Sequence, residues 1–345
     1  MLPVDMPLAI YMEDTFGKTF GKMGYDMLRF SENPIVCIID SCEAGKKAVD
    51  VMPGSPRPDT PIVATVDEAF KLGAKAMLLG SAPSGGLLPD SWYPALDHAI
   101  ELGMNLINGL HQRLNARYTK LAQGQWIWDI RQEPTGLGIG KGRARELSAK
   151  RLLIVGTDMA NGKMTTGLLL HKDALARGVK SCFLATGQIG IAICGKGVPL
   201  DAIKLDYACG AIEKGVLEYA GADLIVVEGQ GSVLHPGSTA TLPLLRGSCP
   251  THLILNHRAD LQTLRDFPWM KVPPLSEVCD LYERLACACG CLPAAKVVGV
   301  SLNTSHLSDE EAKAYIAKTE AETGLPTTDP VRYGVEKLTE AVLNK

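Results

Sequence analysis

The segment Leu153-Ile-Val-Gly-Thr-Asp-Met-Ala-Asn-Gly-Lys-Met-Thr-Thr166 constrains the fold more than any other stretch of the chain. An apolar run ends at Gly156, a flexible loop follows, and Gly162-Lys163 opens a pattern suited to a helix. Strand, glycine-bounded loop, lysine and helix in that order predict a phosphate-binding loop of the Walker-A kind. Successive backbone N–H groups in such a loop form a concave anion nest, and the helix N-terminus adds partial positive charge. The residues expected to line it are Gly156, Thr157, Asp158, Asn161, Gly162, Lys163, Met164, Thr165 and Thr166. Lys163 supplies a point charge for the phosphates of a nucleotide or nucleotide-bearing cofactor.

Two features depart from the common form. Gly156 and Gly162 are one residue further apart than in G-x4-GK. Met164 stands where a serine or threonine ordinarily holds magnesium, with Thr165 and Thr166 next in line. If magnesium is used, Thr165 and Glu228 are its candidate ligands. Glu228 ends the apolar run Asp223-Leu-Ile-Val-Val, at the strand edge where ligands sit in open α/β sheets. It is a candidate magnesium ligand or a general base toward a substrate amine. His235, a few residues on, is a second candidate catalytic group, although a lone histidine is more often structural. Thr186–Gly190 is expected to close over the ligand phosphates.

Short apolar strands alternate with helical patterns along the whole chain, which implies parallel sheets with helices on both faces. The first half reads as strands at Leu8–Met12, Pro34–Ile39, Ile62–Ala64, Ala76–Leu79 and Asn105–Ile107. The second reads as strands at Arg151–Val155, Ser181–Ala185, Asp223–Val227, His252–Asn256 and Lys296–Ser301. Ser308 with Glu311 signals a capped helix start. A Gly-rich, basic stretch between Glu133 and Lys150 reads as a solvated linker, so the expected domains are 1–140, Rossmann-like, and 141–345, P-loop NTPase-like. The expected class is α/β, with two doubly wound parallel-sheet domains.

In the first half, Gly17, Gly21 and Gly24 lie between a strand and a helix, and Asp40 ends the next strand. That arrangement suggests a dinucleotide fold in which Asp40 grips a ribose. The spacing G-x3-G-x2-G, with Lys18 and Lys22 inside it, suits a carboxylate or phosphate at least as well. Gly80-Ser-Ala-Pro-Ser-Gly-Gly86 forms another wall of the same cleft.

The net charge of −3 carries no footprint for nucleic acid or an anionic membrane. No apolar run reaches a membrane span, and the beginning of the chain lacks a basic region followed by an apolar one, which points to a cytoplasmic protein. The ten cysteines fit that compartment as small buried side chains. Cys287, Cys289 and Cys291 lack the paired spacing of a zinc site and read as the end of a helix.

The long loop beginning Gly-Thr-Asp, and the turn Glu228-Gly, resemble dethiobiotin synthetase. Nearly the whole chain resembles a bacterial and archaeal family long catalogued as a domain of unknown function, which pairs a Rossmann-like domain with a P-loop domain. The resemblance rests on Lys22–Phe30, Gly80–Gly86, Asn108–His111, Gly156-Thr-Asp with Gly-Lys163, Glu228–Gly231, His235-Pro236 and Thr328–Arg332. Some members are D-glutamate N-acetyltransferases that use acetyl-CoA. The resemblance implies that the loop holds acetyl-CoA and that Glu228 or His235 takes a proton from the acceptor amine. Lys22 and Arg332 would hold the carboxylates of an acidic amino acid, with Gly85, Gly86 and Asp329 beside them. By analogy it also implies a homo-oligomer. The competing expectations are an ATP- and magnesium-dependent ligase or kinase of a small carboxylate, and a nucleotide-sensing regulator.

Overall fold

The computed structural model describes residues 2–344, with Thr19 and Ser84 described by backbone alone. The chain forms two compact units, Met1–Gln132 with Gln188–Pro199, and Glu133–Gly187 with Leu200–Lys345. The return of 188–199 to the first unit is not announced by the sequence pattern.

The first unit carries β1 (Leu8–Tyr11), β2 (Ile35–Ile39), β3 (Ile62–Val63), β4 (Ala76–Leu79), β5 (Asn105–Asn108) and β6 (Ile127–Asp129). They form one parallel sheet in the order β3-β2-β1-β4-β5-β6, the order of a dinucleotide-binding fold. The strands are apolar runs because helices cover both faces, leaving no polar side to alternate with. β1 and β4 are buried along their whole length. The crossover from β1 enters the helix Lys22–Phe30 through a close backbone approach. Gly24 donates its N–H to the carbonyl of Gly80 at 2.7 Å, and a Cβ on Gly80 would meet the Cα of Gly24 at 3.2 Å. Met12 fills the remaining space, so a Cβ on Gly24 would meet its sulfur at 2.3 Å.

Asp40 does something other than grip a ribose. Its carboxylate accepts the N–H groups of Asp14 (3.3 Å), Phe16 (3.0 Å) and Cys42 (3.0 Å), shaping the loop after β1. A side chain read as ligand-facing is spent on its neighbours' backbone.

The second unit carries β7 (Lys150–Gly156), β8 (Ser181–Leu184), β9 (Leu224–Val227), β10 (His252–Arg258), β11 (Thr263–Leu264), β12 (Phe267–Lys271), β13 (Lys296–Asn303) and β14 (Thr327–Thr328). Six of them form a second parallel sheet, β14-β13-β10-β7-β9-β8, and β11 pairs with β12 as an antiparallel hairpin. The central strand β7 therefore has β9 on one side and β10 on the other. Ser308 caps the helix Asp309–Thr323, with the reciprocal bond to Glu311 that the sequence predicts.

The basic stretch before β7 is mostly exposed, and it is anchored at two points. Glu213, 1% exposed on the helix Leu205–Leu217, accepts the N–H groups of Lys141 (3.0 Å) and Arg143 (2.8 Å) and the Arg143 guanidinium (3.1 Å). Arg151 is buried and donates to the carbonyls of Leu147, Ala149 and Cys249. Burial pushes the Glu213 carboxyl up, but the bonds from Arg143 and Lys141 outweigh it and hold the group below its ordinary range. Its contribution is therefore complete above the ordinary glutamate pKa and is lost as pH falls through the lowered folded value. Glu213→Gln is expected to cost about 2 kcal/mol at neutral pH and to flatten the acid limb of a stability curve measured by denaturant titration. An unchanged neutral-pH midpoint would refute this role.

Candidate phosphate-binding site

β7 delivers Gly156 to the carboxyl edge of its sheet, and the loop turns through Ala160 at φ 53° and Gly162 at φ 106° before the helix Lys163–Ala176 begins. The left-handed backbone at Gly162 explains the glycine there. Among the described residues, the N–H groups of Ala160, Gly162, Met164 and Thr165 donate to no protein acceptor. They flank the start of a helix, where unpaired N–H groups are the raw material of an anion nest.

The loop is braced from β10. The carbonyl of Asn256 accepts the N–H of Thr157 at 3.0 Å and the side-chain amide of Asn161 at 2.8 Å. The Asn256 amide nitrogen donates to Thr166 (2.8 Å) and Ser301 (3.3 Å), while its own oxygen is buried without a partner. Lys163 is buried; its Nζ donates to the carbonyl of Asp158 at 2.7 Å and to Asn161 Oδ1 at 3.1 Å. The Thr166 hydroxyl is tied to Ser301 and Asn256, whereas Thr165 is half-buried and its hydroxyl bonds no protein group among the described residues. Met164, also half-buried, brings no hydroxyl to the position of the usual magnesium ligand. Among the described residues no cluster of three His, Cys, Asp or Glu side chains suits a metal ion.

Asp158 is turned to structure. It is 2% exposed, and its two oxygens accept the N–H of Met159 (2.6 Å) and the N–H of Arg265 (2.8 Å) in the β11–β12 turn. Glu228 follows β9, directly beside β7. Oε2 accepts the N–H groups of Thr186 (2.8 Å) and Gly187 (3.1 Å), and Oε1 accepts Gln230 Nε2 at 3.3 Å. Thr186 and Gly187 thus hold the carboxylate, while 188 onward belongs to the other unit. Gly229 is required here, since a Cβ would meet the carbonyl of Ile154 at 1.6 Å and the stem of Lys163 at 3.1 Å. His235 is buried; its Nδ1 accepts the N–H of Gly237 at 3.1 Å, so the neutral ring carries its proton on Nε2. Its ring stands edge-to-face with Phe267 at 5.0 Å.

Two residues that sequence reasoning missed tie these parts together. Tyr282, fully buried on the helix Leu275–Cys287, donates to the carbonyl of Gly156 at 2.7 Å and accepts the N–H of Val233 at 3.3 Å. It joins the phosphate loop to the Glu228–His235 loop, and burial pushes its phenol up. His257 is held between the Thr157 hydroxyl (3.0 Å) and Tyr315 (3.3 Å). The polar run Asn256-His257-Arg258 ending an apolar strand was the available signal for the second.

The remaining expected residues lie elsewhere. Asp329 and Arg332 follow the edge strand β14, separated from β7 by β13 and β10. Asp329 accepts four donors from Thr304, Val331 and Arg332, and the Arg332 guanidinium donates to the carbonyls of Thr304 and Leu307. Lys22, Gly85 and Gly86 belong to the first unit. Lys22 is exposed at the start of its helix, and Gly86 presses against His111, whose Cδ2 a Cβ would meet at 2.5 Å. Cys287 is half-buried and Cys289 and Cys291 are exposed at the helix end.

The family model described as the DUF1611 P-loop domain of unknown function matches residues 138–339, and its Rossmann-like N-terminal counterpart matches 41–133. This chain belongs to the DUF1611 family. A crystal structure of a DUF1611 family protein from Anabaena variabilis matches with a TM-score of 0.93 and 46% identity, over 99% of this chain and 100% of that one. A D-glutamate N-acetyltransferase from Tritonibacter scottomollicae is 39% identical over 283 residues, 81% of this chain and 84% of its own. Another of that name, from a Pseudoalteromonas species, is 37% identical over 79% of this chain and 83% of its own. Among the described residues, no helix is long and apolar enough to cross a membrane.

The buried brace makes a pH prediction. Desolvation lowers the His257 imidazole from its ordinary 6.5 to about 4. The unfolded chain takes up that proton first, so stability is lost as pH falls from about 6.5 toward 4. His257→Gln is expected to remove that slope, worth up to ~3 kcal/mol across the window. Identical pH–stability profiles for the two proteins would rule it out.

Proposed function

We infer that this protein transfers an acetyl group from acetyl-CoA to the amine of an acidic amino acid, with D-glutamate the first acceptor to test. The observation that carries the reading is the phosphate loop: a nest of unpaired N–H groups with a lysine, and Met164 in place of the magnesium-binding hydroxyl. Such a nest suits the pyrophosphate of coenzyme A, which is bound and never cleaved. The relatives at 37–39% identity named D-glutamate N-acetyltransferase support the acceptor class.

In this transfer the amine nitrogen attacks the thioester carbon, the carbon–sulfur bond breaks, and the sulfur leaves as a thiol. One proton must pass from the amine to the solvent or a side chain, and one must reach the sulfur. Glu228, an acceptor at the strand edge, is the candidate base. His235 presents Nε2–H, which suits it to donate a hydrogen bond to the thioester oxygen, while the proton that reaches the sulfur comes from solvent. Asp329 and Arg332 act in this reading by shaping their loop.

One observation favours a second reading. The Thr165 hydroxyl bonds no protein group among the described residues, which leaves it available to complete a magnesium site with Glu228, as an ATP-dependent ligase or kinase requires. Calorimetric titration with acetyl-CoA and with magnesium-ATP separates the two. Acetyl-CoA is expected to bind the more tightly, and D-glutamate acetylation to survive excess chelator. Lys163→Ala is expected to lose a charge-assisted contact, about 1.5–3 kcal/mol of acetyl-CoA affinity. Tight magnesium-ATP binding with weak acetyl-CoA binding would reverse the assignment.

A further inference from the structure

A pocket of 390 Å³ opens beside the phosphate loop, between Asp158–Asn161 on one side and the β11–β12 hairpin with the end of β10 on the other. Arg258, the last residue of β10, and Arg265, in the hairpin turn, both line it. Both are exposed, and neither guanidinium is paired with a carboxylate among the described residues. The pocket is built rather than incidental. The buried Asp158 carboxylate reaches from the loop to the N–H of Arg265 and fixes the turn against the nest. Both Asp158 oxygens are satisfied by backbone N–H groups, so they do not draw the arginines in. Asp266, also lining the pocket, occupies the left-handed position of the turn at φ 67°.

Two unpaired guanidiniums beside an anion nest call for a second anionic group on the same ligand. An unpaired pair of like charges at the mouth of a pocket is unfavourable until an anion arrives, and arginine binds a phosphomonoester with two parallel N–H donors. We propose that Arg258 and Arg265 recognise the ribose 3′-phosphate of coenzyme A, whose pyrophosphate lies in the adjacent nest. The assignment rests on the acetyl-CoA reading above and makes it specific, because ATP carries no phosphate at that position. The hairpin also links the two halves of the site. Residues alternate along a strand, so Pro268 lines the pocket while Phe267 and Trp269 share the opposite face, and Phe267 packs on His235.

The test compares coenzyme A with 3′-dephospho-coenzyme A by calorimetry on the full-length protein. The wild type is expected to bind coenzyme A at least tenfold more tightly than the dephospho form. Arg258→Ala and Arg265→Ala are each expected to lose about tenfold for coenzyme A, and the double variant to bind both ligands alike. Exchange of each arginine for lysine should restore part of the preference, which a folding defect would not allow. Equal binding of the two ligands by the wild type, or a preference that survives in the double variant, overturns the proposal and leaves the acetyl-CoA reading standing. Binding of neither ligand by the wild type overturns both.

Discussion

The candidate site depends on the main-chain carbonyl of Asn256. It is the next residue position across the sheet from Gly156, and it accepts both the N–H of Thr157 and the amide of Asn161. Those two bonds fix the entry and the middle of the phosphate loop to a strand that is itself buried on both sides. Without them, a loop with left-handed turns at Ala160 and Gly162 would have many conformations of similar energy. With them, the N–H groups of Ala160, Gly162, Met164 and Thr165 are left with no protein acceptor among the described residues. Unpaired donors of this kind are tolerated because a ligand or water can complete them.

Tyr282 extends the same logic to the other side of β7. One hydroxyl serves as donor to Gly156 and acceptor from Val233, so the phosphate loop and the loop carrying Glu228 and His235 share a buried post. A group chemically suited to titrate is instead held neutral, and its value is geometric. The same is true of Asp158, whose carboxylate joins the loop to the hairpin. Three residues whose types suggest chemistry, Tyr282, Asp158 and Asp40, are thus spent on backbone groups of irregular segments.

That pattern explains what could be read from the sequence. The two sheets were legible because strands buried on both faces leave continuous apolar runs, and parallel strands separated by helices leave few arrangements open. The phosphate loop was legible because its chemistry is carried by the backbone and needs only glycines and a lysine at fixed places. The place of Glu228 was legible because it ends an apolar strand. The short edge strands β6 and β14 and the β11–β12 hairpin were not, since two to five residues give too little periodicity to distinguish from loop. The fates of Asp329 and Arg332 were hidden for a different reason. Whether a carboxylate or guanidinium faces a ligand or its own loop depends on partners such as Thr304, distant in sequence, and composition says nothing of them.

The state of Lys163 sets how an anion must enter. Its ammonium already donates to the carbonyl of Asp158 and to Asn161 Oδ1, within the loop it would serve. Any phosphate reaching the lysine would exchange partners with it instead of meeting a bare charge, and only the difference between the two sets of bonds would appear as affinity. The nest N–H groups have no such prior partner, so they contribute with less offset. Binding energy in this site is on this account weighted toward the backbone. Backbone donors in general hold an anion by shape and dipole, without the tight, metal-completed geometry that cleavage of a terminal phosphate needs. Met164 adds no hydroxyl of its own to that set of backbone donors.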